Sequence, residues 1–151
     1  MIVCNLRNSR EYILNIKQKD VANYFNLSVS TISGWETGID TIPIKRLIEY
    51  ANYYKFSLDY LFGLTKRNFY FTDAQIDLNL IAKNLRCLRK ENNFTQKELA
   101  LKVNSDQATY SHYETARNII PTSFLYSLIN IYKPFSIDWL FGRELINKKD
   151  I

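Results

Sequence analysis

The side chains of this chain that are best equipped for chemistry are hydrogen-bonding groups, not nucleophiles or metal ligands. Gln107, Ser111 and His112 follow a capping Asp106. A glutamine amide matches the N6/N7 edge of adenine, while serine and imidazole can bond several bases. Arg117 and Asn118 come next, suited to backbone phosphate. No nucleophile–base pair, carboxylate dyad or phosphate-cradling glycine loop can be assembled, so an enzyme is not expected. His112 is the only histidine and has no second ligand at helical spacing, so neither a metal nor another cofactor is expected. Cys4 and Cys87 form no CxxC unit and are read as two reduced, packed thiols.

These groups lie within an internal duplication. Asn5-Leu6-Arg7 recurs as Asn84-Leu85-Arg86, and Gln18-Lys19 recurs as Gln96-Lys97. Thr31, Ser33, Glu36 and Thr37 match Thr109, Ser111, Glu114 and Thr115. Both copies close alike, Asp59-Tyr60-Leu61-Phe62-Gly63 and Asp138-Trp139-Leu140-Phe141-Gly142. Two single-residue offsets bring them into register, one between the first two helices and one before the last. The expected divisions are a first domain at 1–64, an aromatic-rich connector at 65–73, a second domain at 74–143 and a tail at 144–151.

Periodicity predicts helices throughout. Ile76, Leu80, Leu85 and Leu88 form a stripe on a first helix of copy 2 over about 74–92. Thr95-Gln96-Lys97-Glu98 is a capping box opening a short helix with Leu99, Ala100 and Val103. Asp106 caps a third helix that turns Tyr110 and Tyr113 inward. Copy 1 repeats the plan with Val21, Ala22 and Phe25, a Ser28 cap, then Ile32 and Trp35. A fourth helix follows each proline, with Leu47 and Ala51 in one copy and Leu125 and Ile129 in the other. Ser57 and Ser136 cap a last short helix that ends at Gly63 and Gly142. Two short helices joined by a tight turn, with Ala22 or Ala100 letting them cross closely, make a helix-turn-helix unit. Leu27 plugs the angle between the two helices; its counterpart is Ser105.

Copy 1, from Gln18-Lys19-Asp20-Val21-Ala22 through Ser30-Thr31-Ile32-Ser33-Gly34-Trp35-Glu36, closely resembles the Cro/C1-type (XRE) helix-turn-helix family. Copy 2 resembles it through Thr95-Gln96-Lys97-Glu98-Leu99-Ala100 and Thr109-Tyr110-Ser111-His112-Tyr113-Glu114. The resemblance spans about 5–64 and 84–143. It implies an all-α fold of two lambda-repressor-like five-helix domains in tandem. It also implies that each third helix presents its outward residues to the major groove of double-stranded DNA. Those residues are Val29, Ser30, Ser33 and Gly34 in copy 1, and Gln107, Ala108, Ser111 and His112 in copy 2. Thr31 and Thr109 lie within the same segments. Gln18 and Gln96 match the position that donates to a phosphate. Arg10 with Glu36, and Arg89 with Glu114, fit slots for an architectural ion pair.

The two faces differ in chemistry. Copy 1 offers small and apolar groups, and its following loop places Ile39 and Asp40 where copy 2 has Arg117 and Asn118. Copy 2 is therefore expected to be the stronger reader. The expected function is a transcriptional regulator, a repressor since nothing reads as an activation or effector domain. A protein-binding inhibitor or antitoxin-like module reusing the fold is the alternative, with copy 1 as the surface for a protein partner. A homodimer is left open.

Bulk properties permit this reading. The formal charge is +5, and 46% of the 151 residues are hydrophobic. The aromatic share, with Tyr24, Tyr50, Tyr53, Tyr54 and Tyr60 at helical spacing, is read as core and interface in preference to base stacking. Arg86, Arg89 and Lys90 form a basic stripe read as a solvated face. No stretch approaches the roughly 18 apolar residues of a membrane span, and the start is not a targeting segment, so a cytoplasmic location is expected. The abundance of Asn, Ile, Lys and Tyr is that of an AT-rich genome, such as a mobile element's.

Overall fold

The computed structural model describes residues 3–147. The chain divides into two compact units, residues 3–71 with 145–147, and Thr72–Glu144. Both are helical; the one β feature among the described residues is an isolated antiparallel bridge, Phe71 to Leu145.

The first unit holds copy 1. Helix α1 (Leu6–Asn8) runs directly into a π-helical turn, Ser9–Leu14, that ends at Asn15 in the left-handed region. Then come α2 (Gln18–Phe25), α3 (Val29–Thr37), α4 (Ile44–Tyr54) and α5 (Leu58–Leu61). The apolar positions expected to face inward do so: Val21, Ala22, Phe25, Ile32, Trp35, Leu47 and Ala51 are all buried. Ser28 and Ser57 accept hydrogen bonds from the amides of Thr31 and Tyr60, capping α3 and α5. A buried hydroxyl pair, Ser9 Oγ to Tyr50 Oη at 2.7 Å, ties the π turn to α4.

The π turn explains the first offset between the copies. Asn5 to Asn84 is a step of 79 residues and Gln18 to Gln96 a step of 78, so copy 1 carries one extra residue in between. A π turn widens the helix by one residue without breaking it. The extra residue is absorbed after Arg10, whose guanidinium keeps the same partners as Arg89 in copy 2. Arg10 Nη1 donates to Ile16 O and Arg89 Nη1 to Phe94 O, each at 2.8 Å.

The second unit holds copy 2: α6 (Leu78–Glu91), α7 (Gln96–Lys102), α8 (Gln107–Glu114), α9 (Thr122–Ile131) and α10 (Ile137–Leu140). Thr95 and Glu98 form the expected capping box on α7, Asp106 caps α8 and Ser136 caps α10. Leu85, Leu88, Leu99, Ala100, Tyr110, Leu125 and Leu128 are buried, while Ile129 and Val103 are half-buried. The first helix is shorter than its periodicity suggested. Asp77 accepts from the amides of Asn79 and Leu80 and so starts α6 at Leu78; Ile76 lies outside the helix, exposed. Gly63 and Gly142 follow the last helices at positive φ, as expected of C′ residues.

The second offset falls before the last helix. In copy 1, α4 ends on Lys55 in the left-handed region and Phe56 drops into the core. Pro134 disfavours helical backbone at Lys133, and Tyr132 leaves α9 extended instead.

The aromatic-rich segment after Gly63 is held to copy 1. Asn68 accepts from the Ser57 amide at 2.8 Å and donates to Lys55 O at 3.0 Å. Phe71 bridges to Leu145, and the Ile146 amide donates to Tyr70 O. Phe69 and Tyr70 are more exposed than a row of three aromatics suggested. Of the expected tail, residues 148–151 lie outside the described residues. The cysteines depart from expectation as well: both are free, as read, but both are exposed instead of packed.

Candidate nucleic-acid interface

In each copy the helix-turn-helix is set by one asparagine. Asn26 (φ 55°) and Asn104 (φ 54°) take the left-handed conformation that an Asn side chain tolerates better than most. The amide of the next residue then reaches back, Leu27 to Ala22 O and Ser105 to Ala100 O, both at 2.9 Å. Ala22 and Ala100 are 2% exposed, so a larger side chain there would force the crossing helices apart. These asparagines stand one step before Leu27 and Ser105, a turn signal legible in the sequence that the reading from Ala22, Ala100, Leu27 and Ser105 does not use. Both Leu27 and Ser105 are half-buried.

A polar cluster of an arginine, a glutamine and a glutamate fixes the first and second helices to the third in each copy. In copy 1, Arg10 Nε and Nη2 donate to Glu36 at 2.6 and 2.9 Å, and Gln18 Nε2 donates to the same carboxylate at 3.0 Å. In copy 2, Arg89 donates to Glu114 at 2.6 and 3.1 Å, and Gln96 Nε2 at 2.7 Å. Both expected ion pairs therefore form, with Glu36 and Glu114 buried. Arg89 accordingly leaves the basic stripe drawn through Arg86 and Lys90 and turns inward.

Copy 2 adds a fourth member: Tyr110 Oη donates to Glu114 at 2.7 Å. Ile32 stands in its place in copy 1. Burial pushes the Tyr110 hydroxyl far above the usual phenol range, so it remains a donor. Burial works to raise the Glu114 carboxyl, but the bonds from Arg89, Gln96 and Tyr110 outweigh it and hold that carboxyl below its usual range. Since each glutamine uses Nε2 on the glutamate, the amide is oriented from inside the protein. An amide nitrogen carries two hydrogens, so one remains for an outside acceptor.

The outward faces of α3 and α8 differ more than the inward ones. On α8, Gln107 and Ala108 are exposed, and Ser111 and His112 are half-exposed. Arg117 and Asn118 are exposed just beyond, their amides donating to His112 O at 3.0 and 3.2 Å. The side chains of Gln107, His112, Arg117 and Asn118 make no hydrogen bond to any described residue. Thr109 is different: its hydroxyl donates to the Asp106 cap at 2.9 Å and is already occupied.

On α3, Val29 and Ser30 are exposed and Ser33 half-exposed. Ser30 and Thr31 hydroxyls both pair with the Ser28 cap, at 3.0 and 2.9 Å. Gly34 was expected among the outward residues, yet it is buried. The loop after α3 folds back so that the Asp40 amide donates to Gly34 O at 3.1 Å. The Asp40 carboxylate then lies over the glycine, 2.7 Å from where a Cβ would stand. The matching residue of copy 2 is His112.

The family model for helix-turn-helix matches the chain twice, over residues 6–61 and 85–140, one match for each copy. The chain belongs to the Cro/C1-type (XRE) helix-turn-helix family, with two copies in tandem. It is thereby a DNA-binding regulator of that type. No curated protein and no solved structure matches it. Among the described residues no helix is long and apolar enough to cross a membrane, and no cluster of His, Cys, Asp or Glu could hold a metal ion.

Proposed function

We propose that this chain is a sequence-specific transcriptional repressor that reads the major groove of double-stranded DNA with α3 and α8, copy 2 contributing most of the readout. The observation that carries this reading is the uncommitted polar row on copy 2. Gln107, His112, Arg117 and Asn118 hold their donors and acceptors on one exposed face with no internal partner. Gln107 is placed near the helix N-terminus to take an adenine edge, and Ser111 and His112 one turn on to take neighbouring bases. Arg117 and Asn118 flank them for the phosphate backbone, and Gln18 and Gln96 each offer a pre-oriented amide hydrogen at a helix N-terminus. Repression would follow from occupying a promoter.

Selection of bound duplexes from a random library, with the full chain and with Gln107→Ala and Ser33→Ala, tests this. A two-part motif, with each variant relaxing a different half, is the expected result. Affinity for the selected duplex should also fall steeply with salt, as displaced counterions require. Enrichment of nothing, or binding indifferent to salt, would sink the reading.

A second reading has one observation in its favour. The face of copy 1 exposes Val29 (43%) and Ile39 (82%) beside Asp40, a mixture of apolar and acidic groups suited to protein more than to phosphate. If copy 1 serves a protein partner, a stoichiometric complex should form that Ile39→Lys abolishes while DNA selection by copy 2 persists.

A further inference from the structure

Asp40 is an acidic residue set on the very surface that is proposed to approach a polyanion. Its place in the fold is unusual. Its amide is bonded to Gly34 O, and its carboxylate lies over α3 where a side chain at position 34 would begin. The residue is exposed, and its carboxylate accepts no hydrogen bond from any described residue. Copy 2 has His112 at the position matching Gly34, and the loop residue matching Asp40 is Asn118. At this one position copy 1 thus lacks a side chain on the helix and supplies one from the loop.

We infer that Asp40 is a specificity-determining residue of copy 1 that accepts a hydrogen bond from the N4 amino group of cytosine. This rests on the DNA-reading function proposed above. A carboxylate only accepts, so in the major groove it can pair only with a base that offers a donor. Two bases do, adenine at N6 and cytosine at N4. Adenine sets its N7 acceptor beside that donor, and N7 would repel a carboxylate. Cytosine carries no major-groove acceptor of its own. Gly34 is integral to the arrangement, since any Cβ there would push the carboxylate off α3.

Duplex selection with the full chain separates the outcomes, run for wild type, Asp40→Ala and Gly34→Ala. Circular dichroism checks that each variant is folded. Wild type should enrich cytosine at one position in one half of its motif. Asp40→Ala should lose that preference alone, binding the cytosine-bearing duplex about tenfold more weakly while the half read by Gln107 is unchanged. Gly34→Ala, which displaces the carboxylate without removing it, should blur the same position.

Tighter binding of Asp40→Ala to every duplex, with a steeper salt dependence, would show Asp40 to be a phosphate repeller only and overturn the inference. An unchanged motif in both variants would overturn it equally. Either result leaves the DNA-reading function standing, whereas a wild type that enriches no motif overturns both.

Discussion

Copies 1 and 2 share an inner frame and differ on the outer face. Inside, the same asparagine turns the chain, the same alanine admits the crossing helix, and the same Arg–Glu–Gln cluster joins the first three helices. Outside, copy 2 carries free amides, an imidazole and a guanidinium; copy 1 carries valine, capped hydroxyls and a carboxylate folded over a glycine. Duplication creates two frames at once, and each frame tolerates a change of face because the large core side chains lie on the other side of the helix. The converse also holds. Where copy 1 carries one more residue than copy 2, the helix is widened into a π turn and Arg10 still reaches Glu36.

The largest difference between the frames should come from their glutamates. Glu114→Ala strands Arg89, Gln96 and Tyr110 and should cost copy 2 about 3–5 kcal/mol. Glu36→Ala strands one hydrogen-bonding partner fewer and should cost copy 1 less. Trp35 and Trp139 report on one copy each, so urea unfolding in Trp35→Phe and Trp139→Phe backgrounds resolves the two values. Equal losses would remove the distinction that Tyr110 makes. Glu114 also predicts a response to acid. Its folded pKa is depressed below the ordinary 4.5, so its contribution is complete above that value and fades as pH falls through the lower one. Glu114→Gln should flatten the acid limb of copy 2, as followed by Trp139 fluorescence.

On the faces the expected effects are smaller. Gln107→Ala should weaken binding to the selected duplex by about 1–3 kcal/mol and relax one position. Ser33→Ala, which removes a single hydroxyl from copy 1, should cost about 1 kcal/mol or less in the same titration. The reverse ranking would make copy 1 the principal reader.

The smallest effect distinguishes the loops. Copy 1 places Gly38 (φ 80°) after α3, and copy 2 places Ala116 (φ 61°) at the same left-handed position. Alanine is strained there, so Ala116→Gly should stabilise copy 2, and Gly38→Ala should destabilise copy 1, each by about 1 kcal/mol in thermal unfolding.

What the sequence made legible follows the same division. Capping serines, Asp106 and the Thr95–Glu98 box act within four residues, so their pattern is visible without a fold. The burial of Tyr110 and Trp35 follows from helical spacing. The π turn was visible only as a one-residue offset, because its shape is dictated by a contact between Arg10 and Glu36, 26 residues apart. Ile76 fitted an apolar stripe, yet Asp77 took the capping role and the helix began after it. Gly34 was read as outward because nothing local shows that a loop six residues later returns to cover it. Arg143 carries no local signal in the sequence. It is buried, its guanidinium on Asp138 at 2.8 Å and on Thr72 O at 2.9 Å, a pairing with no counterpart where copy 1 has Leu64.

That arginine sits where the second unit's ends meet. The Thr72 amide donates to Glu144 O at 2.8 Å, and the Glu144 amide to Thr72 Oγ1 at 2.9 Å. Residues 145–147 belong with the first unit, so the second is nested within the first along the chain. Once the second unit has folded, its own bonds hold Thr72 and Glu144 together. Leu145 then arrives next to Phe71 with the entropy of closing so long a loop already met. On a ribosome, the helices of copy 1 can form early, but its final backbone pairing must wait until all of copy 2 has been made.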